Sequence, residues 1–90
     1  MELALCYYYG IDTVEDKNKA MEIFINISND NMNCQYDIDE ANYYLGKIYL
    51  EGKIVAKSLE KARYYLKIAN TDNDHNSANN LLLLIGRNLQ

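Results

Sequence analysis

The chain repeats itself at a fixed offset, and that repetition limits what it can fold into. Gly10 and Gly52 stand 42 residues apart, and each is followed nine residues later by a Lys-Ala pair, Lys19-Ala20 and Lys61-Ala62. Tyr7 and Tyr49 precede the two glycines by three residues. Further along, Ala41-Asn42-Tyr43-Tyr44-Leu45 is echoed by Ala78-Asn79-Asn80-Leu81-Leu82. A repeat of this length in a helical pattern describes stacked helical hairpins, each burying its apolar face on its neighbour.

Helical periodicity fills the ordered stretches, so the expected class is all-α with five helices. Residues 1–9 form a short apolar helix closed by Gly10 in the manner of a C-cap. A second helix runs from about Asp16 to Ser28, with Ala20, Ile23, Phe24 and Ile27 on one buried face. Asn29 to Tyr36 is polar and Asn-rich and reads as a loop. Asp37 then supplies an N-cap for a third helix reaching Leu50, whose buried stripe is Ala41, Tyr44, Leu45, Ile48 and Tyr49. Ser58 caps a fourth helix to Ala69, with Ala62, Tyr65, Leu66 and Ala69 inward. After a second polar loop, a fifth helix runs from Asn76 or Ser77 to Leu89 and is nearly apolar from Leu81 to Ile85. The chain contains no proline, which would cost about 3 kcal/mol inside any of these helices.

Ninety residues make one small domain, 1–90, that buries roughly 60% of its unfolded surface. The net charge of −4 argues against a general nucleic-acid binder, which carries a basic face. The longest apolar run, Leu81 to Ile85, falls far short of the ~20 residues that span a bilayer. Met1-Glu2 places an acid where a secretory leader has a basic segment. Two widely spaced cysteines, Cys6 and Cys34, are no disulfide framework and read as thiols. The expected compartment is therefore reducing and cytoplasmic.

Residues for chemistry are sparse. His75 is the sole histidine and falls in a polar loop, where it reads as a solvated side chain. With two distant cysteines it makes no zinc set. Asp72-Asn73-Asp74-His75-Asn76-Ser77 resembles the start of a calcium loop, but it lacks the sixth-position glycine, and Leu83 stands where the bidentate glutamate belongs. No phosphate-cradling glycine loop and no nucleophile elbow occurs. The expectation is a non-enzyme without metal or cofactor. The suggestive residues are tyrosines: Tyr7-Tyr8-Tyr9, Tyr43-Tyr44 and Tyr64-Tyr65 are adjacent, so on a helix they cannot all be buried. They read either as half-buried amphipathic packing or, through the outer member of each pair, as part of a partner surface, because tyrosine is enriched in binding hot spots.

Taken together, Ala41, Leu45-Gly46, Tyr49, Gly52, Val55, Lys61-Ala62, Tyr64-Tyr65, Lys67 and Ala69 resemble the pattern of a Sel-one-like repeat, a relative of the tetratricopeptide repeat. Leu3, Ala4, Tyr7, Gly10, Asp16, Lys19 and Ala20 resemble a first copy, with Thr13 in place of the family valine. Ile54 replaces the second family glycine and Ser58 the family aspartate, and Tyr64-Tyr65 lie one position early. The resemblance implies a short α-solenoid of antiparallel hairpins with a right-handed superhelical repeat. Its units are residues 1–36 and 37–75, with a capping helix at 76–90.

The resemblance also implies a protein–protein interaction module whose first helices line a concave face. Aligning those helices on Leu3, Leu45 and Leu82 gives the inward, unpacked positions: Leu5, Tyr8 and Tyr9; Tyr43, Lys47, Leu50 and Glu51; Asn80, Leu84 and Arg87. Such a mixture suits a peptide or a protein helix. Two other readings stand beside it. One is a small acidic inhibitor that covers a basic surface of a nucleic-acid-handling partner. The other is a self-associating unit, or a fragment, of a longer scaffold.

Overall fold

The computed structural model describes residues 2–30, 32, 34–70 and 75–88, with side chains described as far as residue 86. Five helices follow one another: α1 (Glu2–Tyr9), α2 (Lys17–Asn29), α3 (Gln35–Glu51), α4 (Leu59–Ala69) and α5 (Asn76–Asn88). Each packs on the next in sequence, giving an elongated stack of 39 × 28 × 18 Å. No strand occurs among the described residues.

The 42-residue offset is a structural symmetry as well as a textual one. Gly10 and Gly52 both take left-handed backbone, at φ +73° and +67°. At Gly52 an added Cβ would also lie 2.7 Å from Lys57 Cβ, so only glycine turns the chain here without strain. Beyond each glycine, the next helix is tied back to the preceding tyrosine. The Asp16 N–H donates to the Tyr7 carbonyl at 2.8 Å, and the Ser58 N–H donates to the Tyr49 carbonyl at 3.1 Å. Asp16 and Ser58 then cap their helices by accepting from the N–H groups of Lys19 and Lys61, at 3.0 and 3.2 Å.

Close packing rests on small residues. Ala4, Ala20, Ala41, Ala62, Ala69 and Ala78 are all buried at helix contacts. Gly46 is the tightest: a Cβ there would lie 2.7 Å from Leu66 Cγ. Two apolar clusters result, one around Phe24 and Leu45 and the other around Leu66 and Ile85. Each of those four side chains contributes about 1.5–3 kcal/mol by burial. α3 stands between the clusters, facing Leu45 and Ile48 to the first and Tyr43, Tyr49 and Leu50 to the second.

Three expectations are corrected. α3 begins at Gln35 rather than after Asp37, so Tyr36 is helical; its N-cap is Cys34, which makes no side-chain cap bond. The added first turn is held by its own polar side chains, with Gln35 Nε2 donating to Asp39 Oδ1 at 2.8 Å, while Tyr36 stays exposed. The α3 stripe includes Asn42 and Gly46, while Tyr44 and Tyr49 are only half-buried, because their rings are too long to stay within the contact. Tyr8 is a core residue, 4% exposed, not an unpacked one. α5 packs chiefly on α4 and leaves Leu83 and Leu84 exposed, at 59% and 46%.

Candidate functional site

Where α1 meets α3, tyrosine rings gather into one cluster. Tyr8 sits edge-on to Tyr9 and Tyr44, with centroids 4.8 and 5.3 Å away, and Phe24 stacks on Tyr44 at 5.1 Å. Tyr43 continues the cluster at 5.0 Å from Tyr44. The Tyr9 and Tyr44 hydroxyls are 3.2 Å apart. Edge-to-face contacts of this kind add to what ring burial supplies. The consecutive tyrosines therefore divide their work: Tyr8 fills the core, Tyr7 is half-buried and Tyr9 is 51% exposed.

Charge is organised around the same rings. The Tyr8 hydroxyl donates to Glu51 Oε1, and Lys17 Nζ donates to Glu51 Oε2 at 3.0 Å while lying 4.8 Å from the Tyr8 ring centre. Lys53 lies 4.0 Å from the same carboxylate, and Lys17 also reaches Glu15 at 3.7 Å. Burial alone would raise the Glu51 carboxyl, but the hydrogen bonds from Tyr8 and Lys17 and the two ammonium charges outweigh it and hold the group below the ordinary carboxylate range. Burial, followed by the bond to Glu51, pushes the Tyr8 phenol well up; burial and the bond to Tyr9 do the same to Tyr44. Both stay neutral hydroxyls over the whole physiological range.

Lys47 differs from the other two lysines. Its ammonium lies 5.5–5.7 Å from the centres of Tyr8, Tyr43 and Tyr44 and meets no carboxylate among the described residues. These side chains open onto a recess of about 350 Å3 lined by Tyr8, Tyr9, Glu15, Lys17, Lys47, Glu51 and Lys53. Four residues singled out from the sequence, Tyr8, Tyr9, Lys47 and Glu51, thus come together. Tyr43 joins them through Lys47 and Tyr44. Leu5 and Leu50 are half-buried against the two cores, and Asn80 and Leu84 lie exposed on α5, away from the recess. The side chain of Arg87 lies outside the described residues, as do Asp72, Asn73 and Asp74 of the calcium-like segment.

Two polar features are not visible in the sequence patterns. His75 is not solvated: its side chain is 13% exposed and lies 2.6 Å from Glu40. The Ala78 N–H donates to His75 Nδ1 at 3.1 Å, so the ring proton is on Nε2 and is donated to the Glu40 carboxylate. His75 is thus the N-cap of α5 and its tether to α3, and the Asn70 side chain accepts from its backbone N–H at 2.9 Å. The signal was its place just before a helix start, but histidine is not a usual cap. The second feature is Asn42, a polar residue in the α3 stripe; its place beside Ala41 could have marked it.

Among the described residues, no group of three or more His, Cys, Asp or Glu side chains is arranged to hold a metal ion, and no helix is long and apolar enough to cross a membrane. A family model described as Sel1 repeat matches residues 1–25 and 39–74. No curated protein and no solved structure was found that matches the chain.

Proposed function

Because the chain belongs to the Sel1 repeat family, whose helical repeats generally serve as protein–protein interaction modules, we propose that it is not an enzyme and that it binds a peptide or protein segment on the concave face formed by α1, α3 and α5. Residues 1–36 and 37–75 act as two repeat units, and 76–90 caps them. The observation that carries this reading is the convergence of Tyr8, Tyr9, Lys47 and Glu51 on one recess. Glu51 is already engaged by Tyr8 and Lys17, so its role is to hold Lys17 and the Tyr8 ring in place. Lys47 is the cation left to meet a partner's carboxylate or carbonyl, with Tyr9 and Tyr43 flanking an apolar side chain.

The test is an unbiased pull-down with mass spectrometry, followed by titration of the recovered partner against variants. Tyr9→Ala is the cleanest probe, because the ring is half exposed. Loss of a tyrosine anchor costs about 2 kcal/mol, or roughly thirtyfold in affinity. Tyr9→Ala and Lys47→Ala should both weaken binding while the melting temperature stays nearly constant; full binding by both variants would remove the recess from the account. Contact through rings and one ammonium loses little affinity with added salt, whereas an acidic inhibitor covering a basic surface loses much. The exposed Leu83 and Leu84 on α5 favour a second reading, self-association through the stack end. Sedimentation of Leu83→Lys against the parent chain would reveal it as loss of a dimer.

A further inference from the structure

On a different side of the molecule, α2 and α4 leave between them a groove of about 300 Å3 floored by α3. Ile25 and Tyr64 form its rim, the latter 62% exposed, and Ile38 and Tyr65 continue its apolar walls. On the floor is Asn42, 4% exposed, in a row with Ala41 and Leu45. No group among the described residues hydrogen-bonds to its side-chain amide. Yet no buried polar side-chain atom is both sealed and unpaired, so the Asn42 amide opens to the groove that it lines.

Solvent pairs with the open amide until a ligand's polar groups displace it. The amide offers one accepting oxygen and two N–H donors, the complement of a peptide unit's N–H and C=O. In helices and sheets the backbone N–H and C=O groups are already paired, so a peptide unit free to meet this amide belongs to an extended segment. We propose that the α2–α4 groove takes an extended segment of a partner protein, its backbone amide paired with Asn42 and an apolar side chain laid between Ile25 and Tyr64. The proposal uses none of the residues of the α1–α3 recess and stands independently of it.

A random 12-residue peptide library displayed on phage, selected against the full chain, supplies the probe. Enriched peptides are synthesised and titrated by fluorescence anisotropy. The expected result is enrichment of peptides sharing an apolar residue, with affinity falling at least tenfold in Asn42→Leu and in Tyr64→Ala but unchanged in Tyr9→Ala. In nitrogen-15 spectra the Asn42 side-chain amide pair should shift on titration. Should Asn42→Leu fail to fold, the exposed Tyr64→Ala and the amide shift still decide the matter. Failure to enrich any peptide overturns the proposal, as does affinity lost only in Tyr9→Ala. So does a concentration-dependent dimer abolished by Tyr64→Ala, which would make the occupant a second copy of the chain.

Discussion

Single residues in this chain do their work by being small, or by being paired. Gly46 lets Leu66 sit where a Cβ would be. Gly46→Val places branched carbons into that contact and should destabilise by about 1–3 kcal/mol through overpacking, measured by urea unfolding; an unchanged midpoint would mean that α4 shifts at no cost. Glu51 works by pairing. Its folded carboxyl titrates below the ordinary value, so its contribution is complete above the unfolded pKa, about 4.3, and is lost as pH falls through the lower folded value. The melting temperature of the parent chain should therefore drop in that acid window more steeply than that of Glu51→Gln, and parallel curves would show that the pairing contributes nothing. Small residues at repeated spacing are easy to read in a sequence. A pairing such as Glu51 with Tyr8, 43 positions apart, is not, because nothing local records it.

Helices were legible through their apolar period, and their ends through chemistry that is strong in some places and weak in others. Asp16, Ser58 and Gly52 mark their boundaries because each satisfies or turns the backbone at that point. The start of α3 was misread because Cys34 offers no capping side chain and Asp37, two residues inside the helix, resembles a cap. α5 shows the reverse, a cap made by an unusual residue. His75→Ala removes both the bond to the Ala78 N–H and the tether to Glu40. The expected loss is about 0.5–2 kcal/mol, seen as a lower urea midpoint. His75→Asn should recover part of it, since asparagine can cap but cannot reach Glu40; equal loss in both variants would assign the effect to the tether alone.

At the scale of the whole molecule, the order of packing follows the order of the chain. α3 is covered by α2 on one side and α4 on the other, while α5 packs chiefly on α4 and reaches α3 through the His75–Glu40 tether. Stability should be graded accordingly. Amide hydrogen exchange should be slowest around Leu45 to Ile48 and fastest in α1 and α5, and uniform protection throughout would contradict that gradient. The stacked architecture could be inferred from the repeat before any contact was known. The recess was partly legible, since aligning the leucines singles out Tyr8, Tyr9, Lys47 and Glu51. The groove at Asn42 was not, because it depends on how far apart α2 and α4 stand.

The serial packing has a mechanical consequence. Helices that pack chiefly on their sequence neighbours carry a pull between the chain ends largely in series, with the α1–α3 tyrosine contacts and the His75–Glu40 tether as the cross-links that share it. A domain whose termini are joined through one sheet breaks as a unit. This stack should peel instead, yielding first at α1 or α5, with the Gly46–Leu66 contact among the last to give way, and lengthening by one helix at a time.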